Sequence, residues 1–168
     1  MGSFCYDNIL INTNVIEASY KAKVNKLLST LSTCVYPDTA SYPLTEEQIH
    51  NGVPHHSNYA YAYTKRMVDV QSIAYREQYG CNFVTVIPCN IYGPRDNYNL
   101  DSSHVIPALI HKCYHAKLSK GNFELWGTGS ACREFIYSED VGKIVQWVLE
   151  NYSSPEPLVI STNQEISI

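Results

Sequence analysis

Charge is scarce in this chain of 168 residues: charged side chains make up 17% and the formal net charge is -4. A general nucleic-acid binder needs a basic face, and this balance argues against one. It does not argue against an anionic small ligand, because a few placed cations hold a diphosphate. No apolar run approaches a membrane span. Residues 1–12 lack the basic cluster ahead of an apolar stretch that marks a secretory leader. Where a myristoylation motif wants Ser or Thr, the chain has Tyr6. The six cysteines (Cys5, Cys34, Cys81, Cys89, Cys113 and Cys132) form no Cys-x-x-Cys pair and follow no regular spacing. That argues against a disulfide framework and a structural zinc site, and makes reduced thiols in a cytoplasmic protein the expectation. His111 and His115 stand one helical turn apart with no third ligand evident nearby, so no metal is expected. The eight glycines are scattered, and none builds a Gly-x-x-Gly-x-x-Gly turn.

What is present reads as one ordinary globular assembly, 45% hydrophobic and long enough for a sizeable core. Apolar residues at helical spacing (Ile9, Leu10, Val15, Ile16, Ala18) predict a helix over 7–20. A short apolar run predicts a buried strand over 26–32, ending in small polar residues. The stretch 33–57 is loop-rich, broken by Pro37, Pro43, Gly52 and Pro54. A long helix is predicted over 59–79, stopped by Gly80, and a β-branched buried strand over 83–88. A loop over 90–102 leads to a helix over 105–118, with Pro107 in its first turn. Short strands are expected over 123–126 and 134–137, a helix over 140–152 capped by Ser138, and a last strand over 158–161. Strands alternating with helices predict an α/β fold with a mostly parallel sheet. In such sheets ligands bind beyond the carboxyl ends of the strands, here after Leu31 and Ile87.

Tyr61 and Lys65 stand four apart on the predicted helix over 59–79 and so share a face. A free phenol, with a pKa of about 10, is a poor proton carrier near neutrality. A neighbouring ammonium is expected to lower that value and make the pair a general acid/base for a hydroxyl or ketone. Alone, the pair is explained as well by a surface helix turn, since the chain has fourteen tyrosines. Upstream, Ser32-Thr33-Cys34 sits at a predicted strand end, where a hydroxyl can hydrogen-bond a substrate carbonyl. A strand that merely ends in a hydroxyl turn is the plainer reading of those three residues.

The order of a strand-end Ser followed by Tyr-x-x-x-Lys resembles the catalytic signature of the short-chain dehydrogenase/reductase family. The turn Pro88-Cys89-Asn90-Ile91-Tyr92-Gly93-Pro94 resembles that of the family's extended branch, the NAD-dependent epimerases and dehydratases. Three stretches narrow the likeness to GDP-L-fucose synthases: Ser32-Thr33-Cys34-Val35-Tyr36-Pro37; Pro94-Arg95-Asp96-Asn97 with Ser103-His104-Val105-Ile106-Pro107; and Trp126-Gly127-Thr128-Gly129 with Arg133-Glu134-Phe135. The resemblance covers nearly the whole chain.

The resemblance implies a partial Rossmann-like doubly wound sheet with the beginning of a small substrate domain. Residues 1–102 would be the later part of the dinucleotide domain, and 103–168 substrate-domain elements. It implies the conversion of GDP-4-keto-6-deoxy-D-mannose to GDP-L-fucose with NADPH. Tyr61, Lys65, Ser32, Cys34 and His104 would be catalytic. Leu31, Ser32, Thr33, Lys65, Pro88, Cys89, Asn90, Ile91 and His104 would lie toward the cofactor, and Lys112, Trp126 and Arg133 toward the GDP-sugar. It further implies a homodimer of the full-length protein, formed by the helices over 7–20 and 59–79. Without the motif, Cys34 reads as a small buried hydrophobe, His104 as a helix-start residue bonding its own backbone, Lys112 as a solvated lysine and Trp126 as core. Such folds open with a glycine-rich turn that grips the pyrophosphate, and no such turn is present here. The chain by itself is therefore expected to bind NADPH poorly and to be inactive. Another enzyme of the same branch, such as a dehydratase or a UDP-sugar epimerase, and a non-catalytic fragment or binding module are the competing readings.

Overall fold

The computed structural model describes residues 2–168. In chain order the elements are α1 (Gly2–Lys21), β1 (Leu27–Thr30), α2 (Tyr59–Tyr79), β2 (Phe83–Pro88), β3 (Asn90–Tyr92), α3 (Val105–Ser119), β4 (Cys132–Tyr137), α4 (Ser138–Asn151), β5 (Leu158–Ile160) and β6 (Glu165–Ser167). They fall into two compact units, one of Met1–Cys89 with Gly142–Ile160 and one of Asn90–Val141 with Ser161–Ile168.

The first unit is built on a parallel sheet in the order β1-β2-β5, with Leu27 beside Phe83 and Val86 beside Leu158. Every residue of β2 is buried, as a continuous β-branched run between two parallel neighbours should be. Its core joins Ile16 of α1, Leu31, Val35, Tyr36 and Ile49 of the segment after β1, Val68 of α2, and Phe83 and Ile87 of β2. Each such side chain contributes roughly 1.5–3 kcal/mol by leaving water. Gly80 ends α2 in the left-handed region at φ 68, and its N–H caps Arg76 O. A side chain would strain that conformation, which is why the helix stops there. Tyr20 of α1 stacks on Tyr79 of α2 at 4.3 Å, and the Tyr75 hydroxyl donates to Glu17. Lys26 donates to three carbonyls at the end of α4, those of Val148, Leu149 and Tyr152, at 3.3, 2.6 and 3.0 Å. This cation neutralises the negative end of that helix.

The second unit holds β3 parallel to β4 and β4 antiparallel to β6, with Asn90 beside Phe135 and Arg133 beside Ile166. Gly93 follows β3 at a close approach. A Cβ there would lie 2.0 Å from Ser138 Oγ and 2.9 Å from Ser138 Cβ.

Several expectations need correction. Residues 123–126 form no strand: Phe123 and Leu125 are exposed and no neighbour hydrogen-bonds the segment as a ladder. A strand forms instead at β3, inside the expected loop over 90–102, because β4 offers it a parallel partner. β6 was not expected; its short polar sequence carries no strand signal without β4 beside it. Ser138 is the first residue of α4 rather than its cap, and its side chain packs against Gly93. α1 begins at Gly2, several residues ahead of the expected start.

Candidate active site

Beyond the carboxyl end of β1 the chain makes a single 3-10 turn, Thr33–Val35. Ser32 starts it, and its Oγ accepts from the Cys34 N–H at 3.3 Å. The turn buries Val35 completely and leaves Ser32, Thr33 and Cys34 half-buried. The first turns of α2 bring Tyr61 to this place. Its phenol stands near the Ser32 hydroxyl and Cys34, close enough for both to bear on its titration. Phe4 of α1 tilts against the same ring, 5.9 Å between centroids, a contact with no signal in the sequence.

The electrostatics differ from the expectation. Burial raises the Tyr61 phenol above its ordinary value; the nearby Ser32 hydroxyl opposes this, and Cys34 adds to it. The Lys65 ammonium does not reach the phenol oxygen. Its Nζ donates to Thr30 O at 2.8 Å and stands 5.9 Å from the centroid of the Tyr61 ring. Burial lowers the Lys65 pKa. Desolvation therefore outweighs cation assistance, and Tyr61 is a protonated phenol at neutral pH.

Next to Lys65, Arg66 is buried at 6% exposure, yet no carboxylate faces it among the described contacts. Its Nε donates to Val35 O and its Nη1 to Gly52 O, both at 2.8 Å. One turn further, Asp69 is buried and accepts from Thr85 Oγ1 at 3.3 Å, and it pairs with His50 Nε2 at 3.0 Å. The sequence reading singled out none of these three. Arg66, directly after the motif lysine, reads by itself as a solvated helix cation.

The other expected positions divide between the units. Leu31 is core, and Pro88 is buried at the end of β2. Cys89 N–H donates to Ile160 O at 2.9 Å and so belongs to the first unit. In the second unit Asn90 Nδ2 donates to Glu134 O at 2.8 Å, and Ile91 is exposed. His104 is the N-cap of α3, exposed, and its side chain makes no cap hydrogen bond. The Lys112 ammonium lies 3.6 Å from the centroid of the Trp126 ring, a cation–π contact. Trp126 is 77% exposed, so it is not core. Arg133 is exposed, and its Nη1 bonds only Cys132 O, at 2.7 Å. His111 bonds Tyr98 O, and among the described residues no group of three His, Cys, Asp or Glu could hold a metal. Among the described residues no disulfide joins the cysteines.

A hydroxyl, a thiol and a protonated phenol at the carboxyl end of a parallel strand can hold a carbonyl oxygen and move protons beside it. The profile of the NAD dependent epimerase/dehydratase family matches residues 1–161, and the chain belongs to that family. Within it, the chain is 50% identical over 165 residues to a GDP-L-fucose synthase of Dictyostelium discoideum, covering 98% of this chain and 52% of that relative. It is 44% identical over 174 residues to a probable GDP-L-fucose synthase of Drosophila melanogaster, covering 98% of this chain and 54% of the relative. A crystal structure of a GDP-L-fucose synthetase from Naegleria fowleri bound to NADP superimposes with a TM-score of 0.92 at 43% identity, over 99% of this chain and 53% of that one. The chain thus spans about half the length of the relatives it matches.

Proposed function

We propose that this chain carries the catalytic groups of an NADPH-dependent epimerase-reductase converting GDP-4-keto-6-deoxy-D-mannose to GDP-L-fucose. The observation behind the reading is the meeting of the Ser32 hydroxyl, the Cys34 thiol and the Tyr61 phenol beyond β1, with Lys65 one turn along α2. The identity to synthases of this kind supports the choice of substrate.

Protons beside a ketone are acidic because the enolate spreads its charge onto oxygen. Ser32 and Tyr61, both as donors, hold that oxygen. Cys34 and His104 take a proton from the ring carbons flanking the ketone and return one to the other face. Burial keeps the phenol protonated at neutral pH, so it holds the proton that Tyr61 gives to the carbonyl oxygen in the final step. NADPH, when bound, supplies the hydride to the carbonyl carbon. The residues present fit its nicotinamide ribose: an ammonium and a phenol on one helix face, with a serine hydroxyl beside them, match a diol and a carboxamide. No glycine turn for the pyrophosphate occurs in the sequence, so no grip on that group is assigned to these residues. Lys112, Trp126 and Arg133 contact the GDP portion. A cytoplasmic homodimer of the full-length protein belongs to the same proposal. It is supported by apolar side chains left open on α1 and α2, with Ile11 at 62%, Val15 at 50%, and Met67 and Val70 at 44% exposure.

The test is an exchange of segments. These 168 residues replace the matching half of the Dictyostelium relative, and the purified chimera is given the keto-sugar and NADPH in deuterated water. GDP-L-fucose carrying deuterium at both epimerised carbons is the expected product. A folded chimera that oxidises no NADPH and incorporates no deuterium overturns the proposal.

A further inference from the structure

The site stands on a turn, and a turn that follows a strand is free to move unless something holds it. The segment after β1 leaves the sheet at Leu31, runs through Ser32–Cys34 and enters a long loop before α2 begins at Tyr59. The two ends of that loop are drawn together at a neck. Pro37 and Pro54 form an isolated antiparallel bridge, and Asp38 N–H donates to Val53 O at 3.0 Å. Gly52 lets the strands of the neck approach, since a Cβ there would lie 3.2 Å from Pro37 Cβ. Arg66 reaches both sides of this neck at once, taking Val35 O with Nε and Gly52 O with Nη1.

A buried guanidinium without a carboxylate is costly, and an apolar side chain of similar volume would fill the space without that cost. Its planar fork, however, fixes the directions of its donors and so holds two carbonyls from different segments in one geometry, whereas an ammonium's three donors rotate freely. Arg66 stands on the same rigid helix as Tyr61, so a bond from Arg66 to Val35 sets where the turn lies relative to the phenol. We infer that Arg66 is a positioning residue: it clamps the neck of the loop and thereby holds the Thr33–Val35 turn, presenting Ser32 and Cys34 to Tyr61. The catalytic meaning of that clamp rests on the function proposed above; the clamp itself does not. A second tie, from His50 to Asp69 and on to Thr85, fastens the far side of the loop and supplies a control.

The experiment compares Arg66→Met, Arg66→Lys and Asp69→Asn with the unaltered 168-residue chain. Iodoacetamide labelling of Cys34 is followed peptide by peptide in a mass spectrometer, together with amide exchange at Val35 and Tyr36. Both of those amides are hydrogen-bonded within the turn, to Ser32 O and Thr33 O. Arg66→Met is expected to raise the Cys34 labelling rate roughly tenfold, the effect of a local opening made easier by one decade. Arg66→Lys should raise it severalfold, and Asp69→Asn should leave it within about twofold while loosening Ile49 and Asn51. A Cys34 rate unchanged in both Arg66 variants overturns the inference, and so does an equal rise in Asp69→Asn. If Arg66→Met does not fold, Arg66→Lys alone decides by the same criterion. In the chimera, Arg66→Lys should slow deuterium incorporation while leaving the KM for the GDP-sugar unchanged. Slower incorporation together with a raised KM would reduce Arg66 to a general support of the fold. If the unaltered chimera exchanges no deuterium, the function proposed above fails, and the labelling ratios still decide the role of Arg66.

Discussion

The two units hold the side chains assigned to the proposed site in opposite ways. In the first, Ser32, Cys34, Tyr61 and Lys65 are half-buried, and the Ser32 hydroxyl and the Lys65 ammonium are already bonded to backbone groups. In the second, His104, Trp126 and Arg133 are exposed, and the only partners shown for the cations Lys112 and Arg133 are a neighbouring ring and a local carbonyl. The difference follows from the task each set would serve. Groups that meet charge developing in a transition state work when fixed beforehand, because no reorganisation is then needed during reaction. Groups that meet an already charged diphosphate can stay solvated until it arrives, and a surface cation loses little by waiting.

Removing a fixed group should therefore cost most. Tyr61→Phe in the chimera should lower the rate of ketone reduction by roughly 10²–10⁴ while deuterium exchange beside the ketone persists. Equal loss of both would mean that Tyr61 acts through the enolate oxygen or the fold rather than as the proton donor of the reduction. Cys34→Ser and His104→Ala should show the reverse pattern, with impaired exchange; unaltered exchange in both variants would remove them from the mechanism.

The solvated set should give a smaller effect of a different kind. Arg133→Ala is expected to raise the KM for the GDP-sugar by roughly tenfold, one charge-assisted contact, with kcat little changed. Steady-state kinetics read the split, and an unchanged KM would leave Arg133 a surface residue. Stability sharpens the comparison further. Gly93→Ala should destabilise by about 1–3 kcal/mol through its clash with Ser138. Ser138→Gly in the same chain should recover part of the loss in a denaturant titration, and the absence of any shift would show that the close approach carries no strain.

The smallest expected effect is in the pairing of α1 with α2. The hydrogen bond to Glu17 raises the Tyr75 pKa to about 12, with burial pushing the same way, and the same bond lowers that of Glu17. The raised phenol contributes stability that is complete below its unfolded value near 10 and is lost as pH rises from there to about 12. The lowered carboxyl contributes above its unfolded value of 4.5 and loses that contribution as pH falls below it. Tyr75→Phe should flatten both limbs of a plot of melting temperature against pH. A curve superimposable on that of the unaltered chain would show that the pair carries no net weight.

Much of this was legible in the residues. The helix over 59–79 and the strand over 83–88 were readable to the residue, because a long periodic run ending at a glycine and an unbroken β-branched run each admit one structure. The meeting of Ser32, Cys34 and Tyr61 was legible as a pattern of residue types. The direction of the Tyr61 pKa was not, since it depends on how deeply the ring is buried and on Lys65 turning to Thr30 O.

The amino-acid sequence by itself determined the periodic elements, the class of the fold and the residue types at the site, because propensity, hydrophobic period and motif order are local properties of the chain. Only the tertiary structure decided where the short strands lie and what holds the turn after β1. β3 and β6 exist because β4 pairs with both, and 123–126 stays irregular for want of a partner. Arg66 became a clamp because folding carried Val35 O and Gly52 O to the two prongs of one guanidinium. Hydrogen bonds between residues distant in sequence have no local signature; they come into being with the packing that brings their partners together.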